Sequence, residues 1–158
     1  MRMIKFRGKD IKTSNWVYGA YHKYIDITPA AFYKDAESRE NHIKEHTHYL
    51  IMQDAFSDYC MPRNIQCFDV TSETIGQFIG LYDKDGKEIY EGDILRVNDS
   101  TNVVCEFRHG AFGYTYCNEF HPFAGNTNYT FNPKNTDKNF EVIGNIHDNT
   151  ELLKGGKA

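Results

Sequence analysis

Thr74-Ile-Gly-Gln-Phe-Ile-Gly-Leu-Tyr-Asp83-Lys-Asp-Gly86-Lys-Glu-Ile-Tyr-Glu-Gly92-Asp-Ile-Leu-Arg-Val97 is the stretch on which the fold class turns. Gln77 to Tyr82 is rich in aromatic and β-branched residues, the composition of a strand. Asp83-Lys84-Asp85-Gly86 then supplies the positive φ that a type I turn with a glycine bulge requires. Lys87 to Tyr90 makes the return strand, Glu91-Gly92-Asp93 breaks it, and Ile94 to Val97 starts a third. Three strands and two turns in so few residues predict compact β packing. Nothing in the stretch is reactive by residue type or spacing.

Upstream, Ile4 and Phe6 alternate with Lys5 and Arg7, and aromatic and β-branched residues resume from Trp16 to Tyr24, so residues 3–24 predict an irregular hairpin with Ile4, Phe6 and Trp16 turned inward. Lys34 to His48 holds mixed charges and almost no apolar residue beyond Ala36 and Ile43, which fits either a solvated helix or a loop. His48 to Met52 and Asn64 to Val70 are expected strands around a turn at Met61-Pro62-Arg63. Downstream, Asn98 to Asn102 is an expected turn. Val103 to Arg108 and Ala111 to Cys117 are expected strands, with Val103, Cys105 and Phe107 sharing one side of the first. Asn118 to Asn139, rich in asparagine and carrying Pro122 and Pro133, predicts a surface loop. Phe140 to Ile146 returns as a strand, and Asp148-Asn149 caps a short helix through Leu153.

The 158 residues suffice for one domain, or a barrel with a small subdomain, and 11 Tyr with 11 Phe predict an aromatic core. No apolar run reaches the ~18 residues of a membrane span and no signal-peptide pattern opens the chain, so a cytoplasmic protein with reduced cysteines is expected. The net charge of −4 argues against nonspecific nucleic-acid binding over the whole surface. That charge is unevenly spread: residues 1–24 carry +5, the remainder −9, and the interval 69–93 alone −5.

Several stretches together resemble the YopX family of phage and prophage proteins. They are Ile4-Lys5-Phe6-Arg7-Gly8-Lys9 with Trp16-Val17-Tyr18-Gly19, Gly76 to Leu81, Asp83 to Ile94, and Val142 to Ile146 through Leu153. The resemblance implies a mainly β protein containing a small SH3-like barrel, and an accessory role for a phage in its bacterial host. It brings no established activity and no catalytic residues. The expected organisation is an N-terminal β subdomain over residues 1–73 with a polar insertion, then an SH3-like barrel with a short C-terminal helix over residues 74–154.

Each candidate for chemistry meets a plainer reading. His42-Ile43-Lys44-Glu45-His46 has the H-x-x-E-H spacing of a zinc hydrolase, yet two ligands on a polar segment lack the dry walls and outer hydrogen bonds such a site needs; a solvated helix face is the ordinary reading. Asp83, Asp85, Glu88 and Glu91 resemble a calcium loop only until the register is checked. With Gly86 sixth, the loop would begin at Leu81 and end at Gly92, so both required acids are missing. Turn chemistry is the ordinary reading of Asp83, Asp85, Gly86, Gly92 and Asp93, with the hairpin acids facing water or simply capping the turns. None of Cys60, Cys67, Cys105 or Cys117 lies in a motif that activates a thiolate or completes a zinc site. No phosphate-cradling glycine loop is present. Lys5-Phe6-Arg7 with Tyr18, Tyr21, Lys23 and Tyr24 could stack on and neutralise a single-stranded nucleic acid, against the ordinary reading that such aromatics fill a core.

The sequence therefore predicts a non-enzymatic accessory protein that binds a protein partner or itself, with no catalytic residue, metal or cofactor and no membrane association. The expected interaction surface pairs the basic Lys5, Arg7, Lys9 and Lys12 with the acidic Asp83, Asp85, Glu88 and Glu91, which would suit a homo-oligomer. A nucleic-acid-binding small barrel is the alternative, and a metal-dependent hydrolase a distant third.

Overall fold

The computed structural model describes residues 4–26, 33–55, 64–97, 101–123 and 140–153. The chain divides into two compact units, Lys5–Ile75 and Gly76–Ala158 with Met1–Ile4. Both are built mainly from antiparallel strands.

In the first unit, β1 (Phe6–Lys9), β2 (Trp16–Ile25), β3 (Thr47–Ala55) and β4 (Asn64–Asp69) pair in the order β4-β3-β2-β1. Alternation assigns Val17, Ile51 and Val70 to the inner face, where they are buried among Phe6, Tyr21, Tyr49, Phe68 and Ile75. Gly19 is required there, because a Cβ would come within 2.0 Å of the Met52 carbonyl oxygen. Between β1 and β2, Asp10 accepts from the Thr13 hydroxyl at 2.6 Å and the Thr13 N–H at 3.0 Å, closing the turn. The Thr13 hydroxyl, first among the causes, holds the Asp10 carboxyl below the usual carboxylate range. The polar segment before β3 is a helix, α1 (Ala36–Glu45), capped by Asp35, whose carboxylate accepts from the Ser38 N–H at 2.7 Å. It buries no residue.

The predicted strands are present, with two changes inside the first hairpin. Ile4 precedes β1 and is exposed. Arg7, expected on the solvent side of an alternating strand, is only 6% exposed, because its guanidinium lies over the Trp16 ring, 4.7 Å from the centroid. The expected turn at residues 61–63 lies outside the described residues.

The second unit begins with the hairpin of β5 (Gly76–Tyr82) and β6 (Glu88–Tyr90). Gly86 sits at φ +84°, the left-handed conformation that its turn predicted. There follows a five-stranded sheet of β7 (Asp93–Val97), β8 (Thr101–Arg108), β9 (Ala111–Tyr116), β10 (Glu119–Pro122) and β11 (Phe140–Asn145), in the order β10-β9-β8-β7-β11. Its core gathers Ile89, Leu95, Val103, Cys105 and Phe140. The rings of Tyr114 and Phe123 meet Phe140 edge-on at 5.6 and 5.4 Å, the aromatic core that composition foretold. Glu119–Pro122 is a strand and not part of a loop: Phe120 pairs with Thr115 and His121 with Tyr114, and Pro122 is tolerated because β10 lies at the sheet edge. The remainder of the expected loop, residues 124–139, lies outside the described residues. The C-terminal helix is a single 3₁₀ turn, Thr150–Leu153.

The acids of the central hairpin are a further correction. Asp83 is 2% exposed, and its carboxylate accepts from the N–H groups of Asp85 at 2.9 Å, Lys87 at 2.8 Å and Val142 at 3.1 Å. Asp93 is buried too, accepting from the Tyr90 N–H at 2.8 Å. Both carboxylates take up backbone donors that the turns leave unpaired, the capping that turn chemistry expected, but they do so buried, against the expectation that hairpin acids face water.

Candidate functional site

The outer face of the N-terminal sheet concentrates the chain's polar aromatic side chains. Register fixes its membership: Arg7 lies opposite Tyr18, Lys9 opposite Trp16, His22 opposite Leu50, and Tyr24 opposite His48. Directly paired residues point to the same side of an antiparallel ladder, so these side chains share the face away from the Val17, Ile51 and Val70 core. Tyr21 and Lys23 fall one register position away and face the other side, where Tyr21 packs on Phe6 at 5.3 Å and Lys23 lies over Tyr49 at 5.4 Å. Burial pushes the Tyr21 hydroxyl pKa up.

Two groups stand on the outer face. At the β1 end, the Lys5 ammonium lies over the Tyr18 ring at 5.7 Å and the Lys9 ammonium over Trp16 at 5.5 Å, beside the Arg7 stack. Toward the end of β2, Tyr24 is nearly parallel to His48 at 4.8 Å and 13°, and His22 adds a further ring 6.3 Å from Tyr24. His48 Nδ1 is 3.4 Å from Asp69 Oδ2, which orients the imidazole in this pile. Tyr18 and Tyr24 remain 38% and 41% exposed, a large share for rings that usually fill a core. The arrangement offers π surfaces beside fixed positive charge. It holds no nucleophile paired with a base.

The expected interaction surface is only partly assembled. Lys5, Arg7 and Lys9 do lie together, and Lys12 is exposed in the adjoining turn. Of the acids, Asp85 is exposed in its turn, Glu91 is half-buried, and half-buried Glu88 accepts the Tyr90 hydroxyl at 2.6 Å. Asp83, being buried, is no surface group. Sequence reasoning expected Trp16 in the core, where the structure instead pairs it with Lys9 on the outer face; it did not connect His22 or His48 with this face, and it mixed residues of two faces. A strict period of two from Trp16, giving Trp16, Tyr18, Ala20, His22 and Tyr24, was the signal that would have separated them.

The remaining candidates gather little chemistry. On α1 the His42 and His46 rings stack on each other at 3.9 Å, and among the described residues no group of three or more His, Cys, Asp or Glu could hold a metal ion. Cys105 is core, Cys67 and Cys117 are exposed, and Cys60 lies outside the described residues. A shallow cavity of about 280 Å³ lies among Asn102, Glu106, Arg108, Thr115 and Leu153. Its polar groups serve one another: Arg108 pairs with Glu106 at 3.3 Å, and the Thr115 hydroxyl donates to the same carboxylate. Among the described residues, no helix is long and apolar enough to cross a membrane.

Comparison with known proteins adds two findings. The family model described as YopX protein matches residues 5–154. The chain is also similar to the crystal structure of protein EF1440 from Enterococcus faecalis, with a TM-score of 0.51 and 23% identity over 96% of this chain and 98% of that one, a likeness of fold. No curated protein matches significantly.

Proposed function

The chain belongs to the YopX protein family, and from that premise we propose that it is a non-enzymatic phage or prophage accessory protein, acting in the cytoplasm of a bacterial host by binding through the outer face of its N-terminal sheet. The carrying observation is that face itself. Tyr18, beside Lys5, and Tyr24, toward the far end of β2, are both exposed on one antiparallel ladder, where burial against a partner would recover the apolar surface that folding leaves in water. In this reading the C-terminal unit is a small SH3-like barrel serving as scaffold, supported by its five-stranded antiparallel sheet and the preceding β5–β6 hairpin. The partner is a second copy of the chain or another macromolecule.

The test compares the chain with a variant carrying Lys5→Glu, Lys9→Glu and Tyr18→Ala, all on the proposed face. Light scattering reports self-association, and recovery of tagged protein from lysogenic cells reports other partners, protein or nucleic acid. The expected outcome is an assembly, of any of these kinds, that the variant loses while keeping its melting temperature. An assembly retained equally by both proteins, or no assembly with either, overturns the reading.

A further inference from the structure

We infer that the occupant of the outer face is a single-stranded nucleic acid, bound by stacking of its bases on Tyr18 and on the Tyr24–His48 pile and by neutralisation of its phosphates at Lys5 and Lys9. This rests on the reading above that the outer face is the binding surface, and deepens it by committing to one ligand chemistry.

Three observations carry it. First, the cations and rings alternate in space as a polynucleotide does: Lys5 is 5.7 Å from the Tyr18 centroid and Lys9 is 5.5 Å from that of Trp16, so charge lies a few ångströms from each π surface. Second, Tyr24 and His48 make a near-parallel stack at 4.8 Å, the arrangement in which a planar base would be the next member. Third, the spacing suits several nucleotides. Tyr24 lies six residue steps along β2 from Tyr18, about 20 Å of strand, matching the lower end, roughly four nucleotides, of the sites that small β-barrel folds use.

The same features favour a single strand over a duplex, whose bases are already stacked on one another and offer no free face to Tyr18 or to the Tyr24–His48 pile. An acidic protein segment would satisfy the lysines but would leave the piled rings without a planar guest. Attraction between a phosphate and a lysine is local and screened within about 10 Å at ordinary salt, so the net negative charge of the whole chain does not oppose a polyanionic ligand at this face.

The test is fluorescence anisotropy of the full chain with labelled dT20 and rU20 strands and a 20-base-pair duplex, from 50 to 200 mM salt. The expected result is binding of one or both single strands in preference to the duplex, with a log-log salt slope of about −1.4 to −2.1 for two to three phosphate contacts, roughly a seven- to eighteenfold loss over that range. The dT20 and rU20 arms tell DNA from RNA. Tyr18→Ala with Tyr24→Ala weakens binding at least about tenfold, and the Tyr18→Phe, Tyr24→Phe pair retains it, since stacking needs the ring and not the hydroxyl. Lys5→Glu with Lys9→Glu weakens binding and flattens the salt slope. Equal affinity for duplex, or single-strand binding indifferent to the tyrosine variants, overturns the inference. Failure of all strands to bind, while light scattering or co-purification still reports an assembly that the Lys5, Lys9 and Tyr18 variant loses, overturns the nucleic-acid ligand and leaves the binding face standing with a protein partner.

Discussion

Asp83 ties a turn to a distant strand. Two of its three bonds close the β5–β6 turn through Asp85 and Lys87, and the third, to the Val142 N–H, fastens that turn to β11 at a sequence distance of 59 residues. Lys84 reinforces the tie, its N–H donating to the Phe140 carbonyl at 2.9 Å and its ammonium meeting Glu141 at 2.9 Å. A buried carboxylate that satisfies several backbone donors is expensive to remove, because each donor is then left in a place water reaches poorly. Asp83→Ala is therefore expected to destabilise the protein by about 2–4 kcal/mol in chemical denaturation, and Asp83→Asn by less, since one acceptor oxygen remains. A change within about 0.5 kcal/mol for the alanine variant would show that the bonds are not maintained in solution.

The elements differ in what holds them. The strands of each unit are paired and carry buried side chains, whereas α1 is ten residues long, keeps the Asp35 cap and an exposed Lys44–Glu40 pair, and buries nothing. A helix of that length is marginal by itself, and its single exposed ion pair adds only about 0.3–0.5 kcal/mol. The amides of α1 are accordingly expected to exchange with deuterium faster than those of β2 and β3, and Asp35→Ala to accelerate α1 alone; protection of α1 equal to that of β3 would contradict this. The contrast also explains what the sequence made legible. Strands with alternation and strong turn chemistry, such as Gln77 to Tyr82 before Asp83-Lys84-Asp85-Gly86, were readable because local propensity and packing agree there. Lys34 to His48 remained undecided between helix and loop, because no apolar periodicity marks an element that buries nothing. The strand at Glu119–Pro122 was missed because edge position excuses a proline that composition counts against a strand. The candidate face was half visible: its lysines and tyrosines stood out, but which aromatics share a side depends on the β2–β3 register, and His48 arrives from another strand.

At the scale of the whole molecule, three carboxylates among the described residues contribute to the response to acid. Asp10 is held below its ordinary pKa by the Thr13 hydroxyl, Asp35 by the Ser38 N–H, and Glu141 chiefly by the Lys84 ammonium. A pKa lower in the folded than in the unfolded chain contributes stability that is present above the unfolded value, and that is lost as pH falls through the folded one. The melting temperature is thus expected to decline as pH is lowered below about 4, and the combined Asp10→Asn, Asp35→Asn, Glu141→Gln variant to show a shallower decline. Identical acid limbs for the two proteins would place the acid sensitivity elsewhere. The order β10-β9-β8-β7-β11 bears on how the chain is made. β7 meets β8 within a few residues of leaving the ribosome, but its other side waits for Phe140–Asn145, and until that segment emerges Asp83 lacks its Val142 donor. A nascent chain stalled before β11, or a message cut short there, leaves the ladder of β7 open as a template for other strands. The arrival of β11 pairs that ladder and moves the edge to a strand whose Phe140 carbonyl and Val142 N–H are already taken up by Lys84 and Asp83.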